Sequence, residues 1–386
     1  MWRLIVLCGV AAGCRDDVPA APPPSPRVAS SHGAPPRANV SASVPDAGAW
    51  TRSGAFLSAL AFCPGDTELV AIDEAGWLTR WRVSDGARIG ATALTATDAV
   101  GLAAGAPPPE HPPATWKSAP PRDRVDCRDD GTALAVGVLV REEHWDTPSV
   151  NSDGKKIVIK GSSQRELTIP FLVDRAGAAR RPSKTLDVID SRFSAQGDAR
   201  LLTIDTRVLA WRDSGALDEV FASERDSDAA LGAADDIVEY DGDRGMARLR
   251  RGDQWIALGK TESGFRVETV PDGVLIQTEM AVHVWTLKNG KASKPKLLLD
   301  ATGVHVKATA AGKKWFLAVD ANSELLRMKR PSMKIDTVKH PCSKTEGDGV
   351  AVTAIDRVAV TAIALSRDEM QLAVACTDGR IRLIRL

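Results

Sequence analysis

The sequence predicts an all-β fold, a β-propeller of seven four-stranded blades closed by an N-terminal strand in the last blade. Three observations predict it. Short apolar runs separated by Gly, Asp and Ser turns recur along most of the chain. Large apolar residues return near the ends of runs, about 40 to 55 residues apart from Trp211 to Trp255, Trp285 to Met328 and Met328 to Ile384, which is the period of a blade-like repeat. Helical periodicity is almost invisible. The clearest unit is the last, Val358 to Leu386. An apolar run ends at Leu365, a second spans Gln371 to Cys376, a turn follows at Thr377-Asp378-Gly379, and an alternating run begins at Arg380. A sheet this small cannot bury its own faces and needs neighbours built the same way.

Taken in order, the chain of 386 residues begins with one basic residue, Arg3, a short apolar run from Leu4 to Gly13, and small residues Ala11-Ala12-Gly13 before Cys14. That is the shape of a secretory signal, too short to span a bilayer permanently. With Ala11 where Leu is usual, it resembles the lipobox of bacterial lipoproteins. The resemblance implies a signal peptide over 1–13, lipidation of Cys14, and an address at the cell envelope, on a bacterial membrane facing the periplasm or the exterior. Residues 14–47 carry Pro19, Pro22, Pro23, Pro24, Pro26, Pro35, Pro36 and Pro45 among Ala, Ser and Arg, too little apolar bulk to order, and read as a disordered tether. The propeller domain is then 48–386.

In the first unit the runs are Leu57 to Phe62, Glu68 to Ile72 and Leu78 to Val83, with Trp81 as the large residue. Aligning on it places a blade-two anchor near Phe171, then Trp211, Trp255, Trp285, Met328 and Ile384, which gives seven blades, with six or eight as alternatives. These units resemble WD-repeat propellers. The resemblance rests on strand rhythm, on turns such as Val270-Pro271-Asp272-Gly273, and on Gly76 and Gly379, each five residues before an anchor. The family's Gly-His start and Trp-Asp ending are not kept: Gly54 is followed by Ala55, and the endings read Trp81-Arg82 and Trp285-Thr286. No family residue is therefore carried over as functional. The last unit stops after three strands, and residues 48–53, with Trp50, are expected to supply the fourth and protect its edge.

Charge is balanced, Lys+Arg 50 against Asp+Glu 50, which excludes a general nucleic-acid binder needing a basic surplus. Beyond Cys8 and Cys14, the cysteines Cys63, Cys127, Cys342 and Cys376 can pair in three ways. Cys63 and Cys127 follow inner strands of consecutive blades, whereas Cys342 and Cys376 lie on the opposite face, so bridges 63–127 and 342–376 are allowed, with four free thiols the alternative. The histidines His32, His111, His144, His283, His305 and His340 show no ligand spacing, so no metal and no cofactor is expected. Asp146, Asn151 and Asp153 miss the calcium-loop spacing and read as a turn. Asp129-Asp130 and Asp235-Asp236 read as carboxylates capping turn amides, and no catalytic set emerges.

Three long connections fall on one face of the predicted ring: Ala106 to Pro121, Arg141 to Lys155, and His340 to Gly349. Long loops on a rigid scaffold are where recognition concentrates. Candidate binding residues are Glu110, His111, Trp116 and Lys117 on the first and Glu142, Glu143, His144, Trp145 and Asp146 on the second, the tryptophans being either interface anchors or packed under their own loops. The expected function is non-catalytic binding of an unidentified protein partner by a monomer that meets the membrane only through its lipid. The alternative is a propeller hydrolase or lyase working in the central channel. That reading requires charged side chains converging from several inner strands, where Leu57, Val358 and Val360 are apolar.

Overall fold

The computed structural model describes residues 56–386, except 105, 113, 123, 224–227, 262–265, 279–280, 301–305, 339–340 and 343–357. They form seven antiparallel sheets, one after another along the chain. The first blade is β1 (Leu57–Phe62), β2 (Glu68–Asp73), β3 (Trp77–Arg82) and β4 (Arg88–Ala93), followed by a single helical turn, α1 (Ala99–Leu102). The second holds β5 (Ala114–Ala119), β6 (Val125–Cys127), β7 (Ala133–Val150), β8 (Lys156–Val173) and β9 (Ala179–Arg180). The third is β10 (Val188–Phe193), β11 (Ala199–Thr203), β12 (Arg207–Trp211) and β13 (Leu217–Ala222). The fourth is β14 (Asp228–Leu231), β15 (Ile237–Asp241), β16 (Met246–Arg251) and β17 (Gln254–Lys260). In the fifth, β18 (Arg266–Val270) and β19 (Gly273–Gln277) lead to β20 (Ala281–Lys288), which pairs with both β21 (Lys291–Ala292) and β22 (Lys296–Asp300). The sixth is β23 (Ala308–Ala311), β24 (Trp315–Val319), β25 (Leu325–Lys329) and β26 (Lys334–Val338), and the seventh is β27 (Val360–Leu365), β28 (Gln371–Cys376) and β29 (Ile381–Arg385).

The inner strands β1, β6, β10, β14, β18, β23 and β27 each lie beside the next, and β27 lies beside β1, so the sheets form a closed ring. The chain is a β-propeller. Its core is the set of interfaces between blades, because a two-layer stack is the least that buries a sheet face. Trp81 of blade one packs with Ala362, Ala373 and Ile381 of blade seven. Phe171 of blade two meets Val70, Ile72 and Leu78 of blade one. Trp211 packs on Leu134 and Leu172, Trp285 on Val238 and Leu249, and Phe316 with Met328 on Leu275 and Val284. Second strands are therefore buried on both faces. β2 and β28 carry the apolar runs Leu69 to Ile72 and Leu372 to Cys376 from this cause, whereas the outer strands β4, β13 and β26 mix polar and apolar residues and are half-buried or exposed.

Ring closure has a polar stitch as well. The Asp66 carboxylate, in the β1–β2 turn, accepts the backbone N–H groups of Arg367 at 3.0 Å and Asp368 at 3.2 Å in the β27–β28 turn. Gly76 (φ +84°) turns β2 into β3 where a Cβ would stand 2.1 Å from the Thr95 Oγ1, so only glycine fits the turn. Disulfides join Cys63 to Cys127, tying blades one and two, and Cys342 to Cys376, tying the approach to blade seven to β28.

Two expectations change. Trp255 is not the anchor of blade four: it sits on the outer strand β17, is 40% exposed, and lies under the Arg248 guanidinium at 4.0 Å. The buried residue at that level is Leu249 on β16, paired with Val238. Arg141 to Lys155 is not an irregular loop, because β7 and β8 continue as one hairpin in unbroken register from Ala133↔Val173 to Val150↔Lys156. Ala106 to Pro121 likewise contains the regular strand β5. The expected closing strand at 48–53, and the connection His340 to Gly349 apart from Pro341 and Cys342, lie outside the described residues.

Candidate interaction site

β7 and β8 are each 18 residues long, about three times the length of their counterparts, so they outrun the blade and form a lobe. β5 lengthens its base, pairing Ala114↔Glu143 through Ala119↔Val138. Alternation along a strand sorts the side chains into two faces. Trp145, Glu143, Arg141, Leu139, Leu167 and Trp116 share one face. His144, Glu142, Val140, Lys117, Gln164 and Glu166 share the other.

The first face is covered by the chain's own preceding segment. The His111 ring stacks on Trp145, centroids 4.0 Å apart and 23° between planes. The His111 N–H donates to the Glu143 carboxylate at 2.9 Å, and Arg141 donates to the Pro107 carbonyl. Arg141 and Glu143 pair at 2.7 Å with only 3% of either side chain exposed. Burying two charges is costly unless each is matched, and here the guanidinium and carboxylate match each other while pinning the segment from Pro107 to His111. Arg141 also lies over the Trp116 ring at 5.6 Å. Trp145 covers Gly161 across the hairpin, where a Cβ would meet its indole at 2.3 Å.

Both predicted segments are thus brought together, and their residues divide by role. His111, Trp116, Glu143 and Trp145 hold the lobe together and are half-buried or buried. Glu110, Lys117, His144 and Asp146 are exposed. Lys117 forms an exposed ion pair with Glu142 at 2.5 Å, and this hydrogen bond holds the Glu142 carboxyl below its ordinary range. At the tip, the Asn151 side chain accepts the amides of Asp153 and Lys155, a polar turn rather than a cation loop. At the lobe's base, Trp116, Arg141, Arg165, Leu167 and Asp187 line a cleft of about 230 Å³. That is below the usual range of small-ligand pockets.

The central channel holds a constellation that sequence reasoning missed. Arg124, just ahead of β6, reaches across the ring to Asp190 on β10 at 2.7 Å, Glu268 on β18 at 3.3 Å, and the carbonyls of Leu231 and Val267. Arg192 and Arg266 also pair with Glu268, and Asp126 accepts the Phe193 N–H. Burial alone would raise the Glu268 carboxyl, but Arg192, Arg124 and Arg266 hold it down at about 2. Charged side chains therefore do converge from inner strands, contrary to the expectation built on Leu57 and Val360. Asp190 and Glu268 are each matched by guanidiniums, and Asp126 by backbone amides, so the cluster reads as a plug. The signal was present in the sequence: Asp190 with Arg192, and Arg266 with Glu268, alternate at period two on strands whose other residues, Ile189 apart, are buried. Elsewhere, Asp130 and Asp235 cap turn amides, accepting from Thr132 and Ala195.

No family model matches the chain, and no curated protein matches it. Among solved structures it is similar to the C-terminal WD40 domain of Sif2, with a TM-score of 0.53 at 10% identity, covering 88% of this chain and 97% of that one. At that identity the likeness is one of fold.

Proposed function

We propose that the chain is a non-catalytic protein-binding propeller, lipid-anchored through Cys14 at the cell envelope, with the β5–β7–β8 lobe as its recognition element. The observation that carries this reading is the lobe itself: a hairpin far longer than its blade requires, braced from behind by the Arg141–Glu143 pair and the His111–Trp145 stack. A preorganised projection lowers the ordering cost of association. The likeness to a WD40 domain supports a scaffold's role, and a rigid closed ring suits it. The lipid, the tether over 14–47 and the monomeric state belong to the same proposal.

The test has two arms. Replacing residues 144–162 by a short turn abolishes photo-crosslinking to the native partner in the envelope while the melting temperature stays put; crosslinking that survives the replacement sinks the lobe's role. Cys14→Ser moves the protein from the membrane to the soluble fraction, and no redistribution would remove the anchor. A second reading, a propeller enzyme working in the channel, is favoured by the convergence of Arg124, Asp190, Arg192 and Glu268. In that case Glu268→Gln abolishes turnover without loss of fold.

A further inference from the structure

Beyond the reach of β9, which meets β8 only at Leu172 and Val173, no described strand pairs with the outer edge of β8 from Lys156 to Leu167. This edge carries Ile157, Val158 and Ile159, which are 40%, 58% and 52% exposed. Edge strands normally hide such runs, because unpaired backbone groups beside apolar side chains recruit another strand. We propose that this edge is a strand-addition site for an extended segment of a protein partner, β-branched at its centre and acidic at its ends. The proposal deepens the lobe's role as a recognition element and rests on it.

Three features of the lobe choose this occupant. First, Lys156 and Lys160 bracket the apolar triplet, Lys155 precedes it, and no carboxylate lies between Lys155 and Arg165. The edge is cationic and matches carboxylates. Second, the same charges oppose a second copy of this chain. Antiparallel self-pairing that aligns Ile157 with Ile159 sets Lys156 opposite Lys160 twice, and like charges directly opposite are destabilising. Third, a lipid surface is disfavoured by the polar turn Asn151-Ser152-Asp153-Gly154, which leads the hairpin and would have to enter before any of the apolar side chains. Strand addition approaches from the side, satisfies the edge amides, and covers alternate side chains above and below.

The test uses the full chain and a synthetic peptide of alternating valine and threonine with two glutamates at each end. Hydrogen exchange across 156–163 slows by about tenfold or more at saturating peptide, with no matching change in β5. Lys156→Glu combined with Lys160→Glu weakens this peptide by about tenfold or more, and the same variant gains binding to a peptide with lysines at its ends. Equal affinity before and after charge reversal overturns the proposal. So does protection confined to other blades, a concentration-dependent dimer, or flotation of the chain with phosphatidylglycerol vesicles that displaces the peptide. If the peptide leaves β8 unprotected while the 144–162 replacement still abolishes partner crosslinking, strand addition fails and the lobe's role stands.

Discussion

At the scale of single residues, Glu268 is held by charges from three sides. Its carboxyl serves three guanidiniums in the channel and sits at about 2, well below the ordinary 4.5. Because the folded value is depressed, its contribution is fully present above about pH 4.5 and is lost as the pH falls toward 2. The drop is on the order of 3 kcal/mol. Urea titrations at pH 7 and pH 3 capture about 2 kcal/mol of it, and the pH dependence should flatten in Glu268→Gln. That variant is itself destabilised at pH 7 by about 3 to 5 kcal/mol, since it leaves Arg192 buried without its ion-pair partner, while Arg124 keeps Asp190. An unchanged pH profile in the variant would assign the acid sensitivity elsewhere. Trp81 is constrained for a different reason. It is 1% exposed at the interface of the first and last blades, and Trp81→Ala should cost about 3 to 5 kcal/mol in denaturant unfolding.

At the scale of elements, strands whose burial follows from stacking were legible, and those shaped by long-range partners were not. Leu57–Phe62 and Gln371–Cys376 match their apolar runs because blades cover both of their sides. Trp255 misled because a lone tryptophan at the right spacing looks like an anchor, whereas its stability on β17 comes from Arg248 and Phe221 beside it. The lobe misled for the opposite reason: Glu142 and Glu143 read as loop because their partners, Lys117 on β5 and His111 ahead of it, lie on a strand and segment contributed from elsewhere. The segments that build the lobe were nevertheless singled out, since length without blade-like patterning marks a departure from the repeat. Gly161→Val tests the lobe's packing. A larger side chain there expels Trp145 from its stack with His111, so the indole's emission should shift to the red. Global stability should move by less than about 1 kcal/mol, as Trp145 and Gly161 lie outside the interblade clusters, which the lobe joins only at its base through Leu139, Leu167 and Trp116. Loss of the whole fold would show that the lobe belongs to the core.

At the scale of the whole molecule, stability is a property of the ring. No blade buries its own faces, and each hydrophobic cluster is shared by consecutive blades. The two disulfides reinforce this by closing segments of 64 and 34 residues. Chain-entropy reasoning puts each at up to about 4 kcal/mol, so the Cys63→Ser, Cys127→Ser double variant should lower the denaturant midpoint markedly without changing the native far-UV spectrum. The sequence already implied a ring from its repeats. It carried the period-two charges of β10 and β18 but not their partner across the channel, because Arg124 meets Glu268 only after three blades have turned the chain back toward itself.

The ring claim is tested most directly by deleting residues 358–386 and following denaturant unfolding by tryptophan fluorescence and circular dichroism. Deletion uncovers Leu57, Leu60, Phe62 and Trp81 together, so closure predicts loss of the cooperative transition across every blade. Six sheets that remain folded, and unfold with most of the original stability, would contradict it.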